Sequence, residues 1–81
     1  MAQPTELGRR LRALRLKAGL TQGELSRRSG CPRPTVTAVE LGTQSGLSME
    51  NLVKLSDALG IPVDLLIRGD RLQNELSGAL T

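Results

Sequence analysis

Sixteen of the 81 residues are leucine, and the chain contains no phenylalanine, tyrosine, tryptophan or histidine. A core for such a chain has to be assembled from aliphatic side chains. The leucines recur at spacings that a helix brings to one face. Leu7, Leu11, Leu14 and Ala18 fall at intervals of four, three and four, the stripe of an amphipathic helix. Thr5 precedes the stripe as an N-cap, Glu6 lies in the first turn, and Gly19 stops it. The spacing predicts a first helix over about 6–18, with Arg9, Arg10, Arg12, Arg15 and Lys17 largely off its apolar stripe.

Helical punctuation continues down the chain. Thr21 and Glu24 form the T-x-x-E capping box that opens a short helix, about 22–29, with Leu25 inward. Gly30 closes it, most naturally in the left-handed conformation. Cys31 and Pro32 make a turn, and a third helix follows over about 33–40, with Val36 and Val39 inward. Pro34 falls in its first turn, where a missing N–H costs little. Gly42 and Gly46 bound a polar loop. Ser48 caps a fourth helix, about 49–59, facing inward with Leu52, Leu55 and Leu59, and Gly60 ends it. Ile61-Pro62 leads into a fifth helix at about 62–67. Asp70 to Gln73 is a second capping box, and Leu72, Leu76 and Leu80 repeat at i+4, as a weak sixth helix or a frayed end. No strand signal or internal repeat appears. The fold expected is an all-α, five-helix domain over residues 1–69, followed by a tail at 70–81.

Composition removes several functions. Without aromatic side chains there is no platform on which single-stranded bases stack. Without histidine, and with Cys31 as the single cysteine, no Cys/His zinc site and no intramolecular disulfide can form. The usual acid–base and nucleophile constellations lack their histidine, so neither an enzyme nor a bound cofactor or metal is expected. No apolar run approaches the roughly 18 residues of a membrane span. A lone thiol behind no signal-like segment points to a reducing cytoplasm.

Charge is distributed unevenly. Residues 1–40 hold eight basic and three acidic residues, and residues 41–81 hold three basic and five acidic, for an overall +3. A basic half suggests an anionic partner on one side of the molecule. On composition alone, Arg9, Arg10 and Arg12 fit a solvated helix face equally well.

The informative stretch is Gln22 to Glu40, QGELSRRSGCPRPTVTAVE. Two short helices joined by a turn containing glycine describe a helix-turn-helix. Ser26 is small where the second helix crosses, Gly30 reverses the backbone, and Val36 pins the second helix to the core. With those positions inward, Arg33, Pro34, Thr37 and Ala38 face outward from the start and middle of the third helix. A convex helix edge of this kind fits a major groove about 12 Å wide.

These residues carry a resemblance. LRALRLKAGLTQGELS (11–26), Gly30, Val36, the E-x-G of Glu40-Leu41-Gly42 and SMENLVKLSDALGIPVDLL (48–66) together resemble the phage-repressor and Cro (Xre-type) helix-turn-helix family over roughly residues 6–67. The resemblance implies a lambda-repressor-like fold and a role for each matching position. Gln22 would contact a DNA phosphate and brace the recognition helix. Arg33, Pro34 and Ala38 match base-facing positions, Thr37 lies beside them, and Thr35 matches a phosphate-contacting position. Leu41 to Gln44, with Thr43 and Gln44 as its polar side chains, match a loop that holds the next phosphates. Arg15 and Glu40 match a pair that ties the first helix to the recognition helix.

The sequence departs from that pattern at the turn. Pro32 stands where a Ser or Thr cap is usual, removing a contribution of about 1 kcal/mol. Arg33 precedes Pro34, which biases it away from helical geometry and allows a later start for the helix. A base-facing Gln is replaced by Pro34, so direct readout would rest mainly on Arg33, bidentate to a guanine, with apolar contact to thymine methyls from Pro34, Ala38 and the Thr37 methyl. DNA shape would add to so sparse a hydrogen-bonding set. Gly23 weakens the second helix by up to about 1 kcal/mol.

Leu65 and Ile67 add apolar surface to a helix that already directs Val63 and Leu66 inward. Val63, Leu65 and Ile67, with Leu72 and Leu76 of the tail, therefore make a candidate dimer interface. The expectation is a cytoplasmic transcriptional regulator of bacterial or phage origin, a repressor that binds specific double-stranded DNA sites as a homodimer. An antitoxin or a restriction–modification controller would share the fold. From a different class, a protein-interaction module could keep the fold without binding DNA. Cys31 is expected as a small buried hydrophobe.

Overall fold

In the computed structural model, which describes residues 3–68, the chain forms five helices with no strand among the described residues. They are α1 (Glu6–Lys17), α2 (Gln22–Ser29), α3 (Arg33–Leu41) and α4 (Met49–Leu59), followed by α5 over 63–68. The expected tail, with its second capping box and with Leu72 and Leu76, lies outside the described residues.

Three helix starts are set by side-chain caps. Thr5 accepts from the Gly8 amide at 3.1 Å, and Ser48 accepts from the Asn51 amide at 3.1 Å. Thr21 and Glu24 close a reciprocal box, in which the Glu24 amide donates to Thr21 Oγ1 at 3.0 Å and the Thr21 amide donates to Glu24 Oε1 at 3.1 Å. Each arrangement satisfies amides that have no intrahelical acceptor.

The core is aliphatic. Leu11, Leu25, Val36, Val39, Leu55 and Leu66 are fully buried, with Leu20, Leu52 and Cys31 beside them. α1 packs on α3, while α2 packs on both α3 and α4. A Cβ at Gly8 would run into the Val39 carbonyl, so glycine is what lets α1 approach the α3 backbone. No described helix is long and apolar enough to cross a membrane.

Two details of α1 differ from the expectation. Ala18 is exposed and caps the helix instead of extending its inner stripe, because the chain has already turned there. Arg15, expected off the stripe, is only 8% exposed. It sits one turn beyond Leu11 on the same inward line, and a buried carboxylate compensates its charge.

Candidate nucleic-acid interface

The turn between α2 and α3 is closed by local hydrogen bonds. Gly30 takes φ +80°, and its amide donates to the Ser26 carbonyl at 2.9 Å. The Ser26 hydroxyl donates to the Cys31 carbonyl at 2.6 Å, so Ser26 fastens the turn as well as being small. Ser29 Oγ accepts the Cys31 amide at 3.0 Å. Pro32 occupies the N-cap of α3 without a side-chain cap, yet its carbonyl accepts from both the Thr35 and Val36 amides, at 3.0 and 3.2 Å. α3 therefore begins at Arg33, without the later start that the Arg33-Pro34 pair allowed. The second position of a helix has no intrahelical acceptor, so Pro34 removes no bond there. Burial of Val36 and Val39 holds the first turn in place.

Behind α3 lies a polar network that joins three helices. Arg15 Nε and Nη2 donate to Glu40 Oε2 and Oε1, each at 2.8 Å, in the two-pronged geometry that suits guanidinium and carboxylate. Arg15 Nη1 donates to the Leu20 carbonyl at 2.8 Å. The hydrogen bonds to Glu40, together with its charge, hold the guanidinium above its ordinary pKa against the opposing effect of burial. Gln22 continues the network: its Nε2 donates to Glu40 Oε1 at 3.2 Å, and its Oε1 accepts from the Thr37 hydroxyl at 2.8 Å. One Nε2 hydrogen of Gln22 remains for an external acceptor. Sequence reasoning did not anticipate that Gln22 would bridge Glu40 and Thr37.

The outer side of α3 is open. Arg33 and Pro34 are exposed, and Thr37 and Ala38 are half-buried. Together with Leu41 and Thr43 they line a shallow recess of about 360 Å³. Arg33 makes no ion pair or side-chain hydrogen bond among the described residues, and its guanidinium lies near the open side of Gly23. Leu41, 58% exposed, belongs to this face because α3 runs one residue further than expected. A step of three from Ala38, which also stays on one helix face, would have reached it.

Thr35 is half-buried in the first turn of α3. In the loop after α3 the Thr43 hydroxyl donates to the Ala38 carbonyl at 3.2 Å, the Gln44 amide donates to the same carbonyl at 3.1 Å, and Gln44 Nε2 donates to the Gly46 carbonyl at 2.7 Å. The loop is thus folded back onto the end of the helix. A Cβ at Gly42 would collide with the Gln3–Pro4 backbone, so the N-terminal segment passes against that end of α3 as well.

Other candidate residues lie elsewhere. Arg10 Nη1 donates to the Leu66 and Ile67 carbonyls at 2.8 and 3.0 Å, and Arg9 Nη1 to the Pro4 carbonyl at 3.2 Å, while Arg12 is exposed. Arg10 is therefore a clamp on α5 and not a free charge. On α5, Val63 packs against the core, Leu65 is half-buried and Ile67 is 38% exposed. Cys31 is fully buried, and loss of solvation pushes its thiol pKa up.

A two-helix unit braced from behind and open along its second helix is the architecture of a helix-turn-helix DNA-binding regulator. The chain belongs to the helix-turn-helix family of the Xre/Cro type, which matches residues 11–66. Several solved structures are similar to it, among them a controller protein and a transcription factor. The restriction-modification controller protein C.AhdI from Aeromonas hydrophila is 42% identical over 74% of this chain and 89% of its own, with a TM-score of 0.69. The hypothetical transcription factor NHTF from Neisseria is 27% identical over 93% of this chain and 97% of its own, with a TM-score of 0.75. No curated protein matches the sequence.

Proposed function

We propose that the protein is a sequence-specific, double-stranded DNA-binding transcriptional regulator of the cytoplasm that acts as a homodimer and represses by occupying its operator. The observation that carries this reading is the uncovered outer edge of α3, where Arg33, Pro34, Thr37, Ala38 and Leu41 line one recess. Arg33 enters the major groove and pairs with a guanine, while Gln22, Thr35, Gln44 and the backbone amide of Thr43, whose hydroxyl hydrogen is already given to Ala38, hold the flanking phosphates. Phosphate contacts supply affinity, and the α3 face supplies preference. Self-association through Leu65 and Ile67, with Val63 seating the helix beneath them, would set two recognition helices about 34 Å apart on one side of the duplex.

The test is duplex binding at two salt concentrations. Log K should fall steeply with log salt, by roughly 0.9 per neutralised phosphate. Arg33→Ala should cost about 1–3 kcal/mol on the specific site and relax one base position. A response independent of salt would instead favour a protein-interaction module. Within the DNA-binding class, the 42% identity to C.AhdI favours a second reading, a controller of a restriction–modification system. Genes for a nuclease and a methyltransferase beside the coding sequence would support that reading.

A further inference from the structure

The outer face of α3 offers very little hydrogen bonding. Of the six side chains lining its recess, Pro34, Ala38 and Leu41 have no polar atom. The Thr37 hydroxyl hydrogen is donated to Gln22, and that of Thr43 to the Ala38 carbonyl. Arg33 is left as the one lining side chain with hydrogens to donate outward. Around it lie a proline ring, an alanine methyl, the Thr37 methyl and a leucine that is 58% exposed. In the major groove the natural bases present one apolar feature, the C5-methyl of thymine. A 5-methylcytosine carries a methyl on the same ring carbon.

We infer that this face reads C5-methyl groups of pyrimidines next to a guanine held by Arg33, and that its affinity for a site responds to C5 methylation of cytosine there. The inference rests on the DNA-binding reading above. Arg33 anchors the half-site. The apolar recess then gains by burying a methyl and gains nothing from a bare C5–H. Burial of one methyl corresponds to about a four-fold change in affinity. The recess does not distinguish the base that supplies the methyl, so thymine and 5-methylcytosine satisfy it alike.

The experiment starts from duplexes selected by the full chain from a random pool. Each thymine of the selected site is replaced singly by deoxyuridine, which removes the methyl and keeps the pairing edge. In a second series the sensitive T·A pair becomes C·G or 5-methylcytosine·G. At least one thymine per half-site should lose about four-fold as deoxyuridine, and 5-methylcytosine should bind about four-fold tighter than cytosine at that position. With Leu41→Ala, an exposed position whose change leaves the core intact, the thymine-to-deoxyuridine ratio should fall toward one. If the selected site binds equally well with deoxyuridine throughout, methyl reading is wrong while the regulator reading stands. Sensitivity to deoxyuridine without a gain from 5-methylcytosine would overturn the methylation response. If no site is enriched and duplex binding does not depend on salt, the regulator reading itself falls.

Discussion

Glu40 is a residue the domain cannot lose without stranding a charge. Glu40 is 5% exposed and its carboxylate answers the guanidinium of Arg15, which is 8% exposed. Removing one member of a buried pair leaves the other ionised and unpartnered, at a cost of about 3–5 kcal/mol. Glu40→Ala should therefore shift urea unfolding by an amount in that range. The double replacement Arg15→Met with Glu40→Leu should recover most of the loss, because a buried pair and a packed apolar pair of similar volume differ little. The double variant should still bind DNA less well, since Gln22 would lose the acceptor that orients it. Cys31 illustrates the opposite case, a thiol used chiefly for packing, with one long hydrogen bond donated to the Pro32 carbonyl at 3.9 Å. Its buried thiol, held protonated by desolvation, should alkylate with iodoacetamide only at the rate at which the domain opens.

At the level of elements, the α2–turn–α3 unit depends on one backbone conformation and one capping box. Nothing lies within 4 Å of a Cβ built on Gly30, so Gly30→Ala would be opposed by its φ of +80° alone. The expected loss is about 1–2 kcal/mol, read as a lower urea midpoint with an unchanged slope. Glu24 makes the same unit sensitive to acid. Hydrogen bonds from the Thr21 backbone and side chain, with smaller help from Arg27 and Arg28, hold its carboxyl below the usual glutamate value. A lowered folded-state pKa contributes stability above the unfolded value, and that contribution disappears as pH falls through the folded one. Thermal melts on the acid side should consequently separate wild type from Glu24→Ala near neutrality and converge below the carboxylate range. Much of this unit was legible in advance. Thr21, Glu24 and Gly30 act on neighbours a few residues away, and local sequence encodes such contacts directly. Leu41 was placed in the loop because the Gly42 stop was read one residue early. The recess it completes was therefore not foreseen.

The whole molecule adds an interaction between its ends. α5 is described over 63–68. It is held by the buried Leu66 and by Arg10, which reaches from α1 to donate to the Leu66 and Ile67 carbonyls. Arg10→Ala should raise amide exchange in 63–68 while leaving the α2–α3 turn protected. On the proposed dimer it should also weaken self-association in sedimentation, because Ile67 would no longer be held in place. Protection unchanged in 63–68 would show that Leu66 alone anchors the helix.

Taken by itself, the sequence determined to within about a residue where the first four helices begin and end, which turn joins α2 to α3, and that the core would be aliphatic. Caps, glycine conformations and apolar periodicity all operate within about one or two helical turns, so they can be read along the chain. Only the tertiary structure decided that Arg15 points inward, that Gln22 joins Glu40 to Thr37, and that Arg10 clamps α5. Those contacts connect residues 25, 18, 15 and 56 positions apart. Their geometry depends on how helices cross, which the spacing within any one helix does not encode.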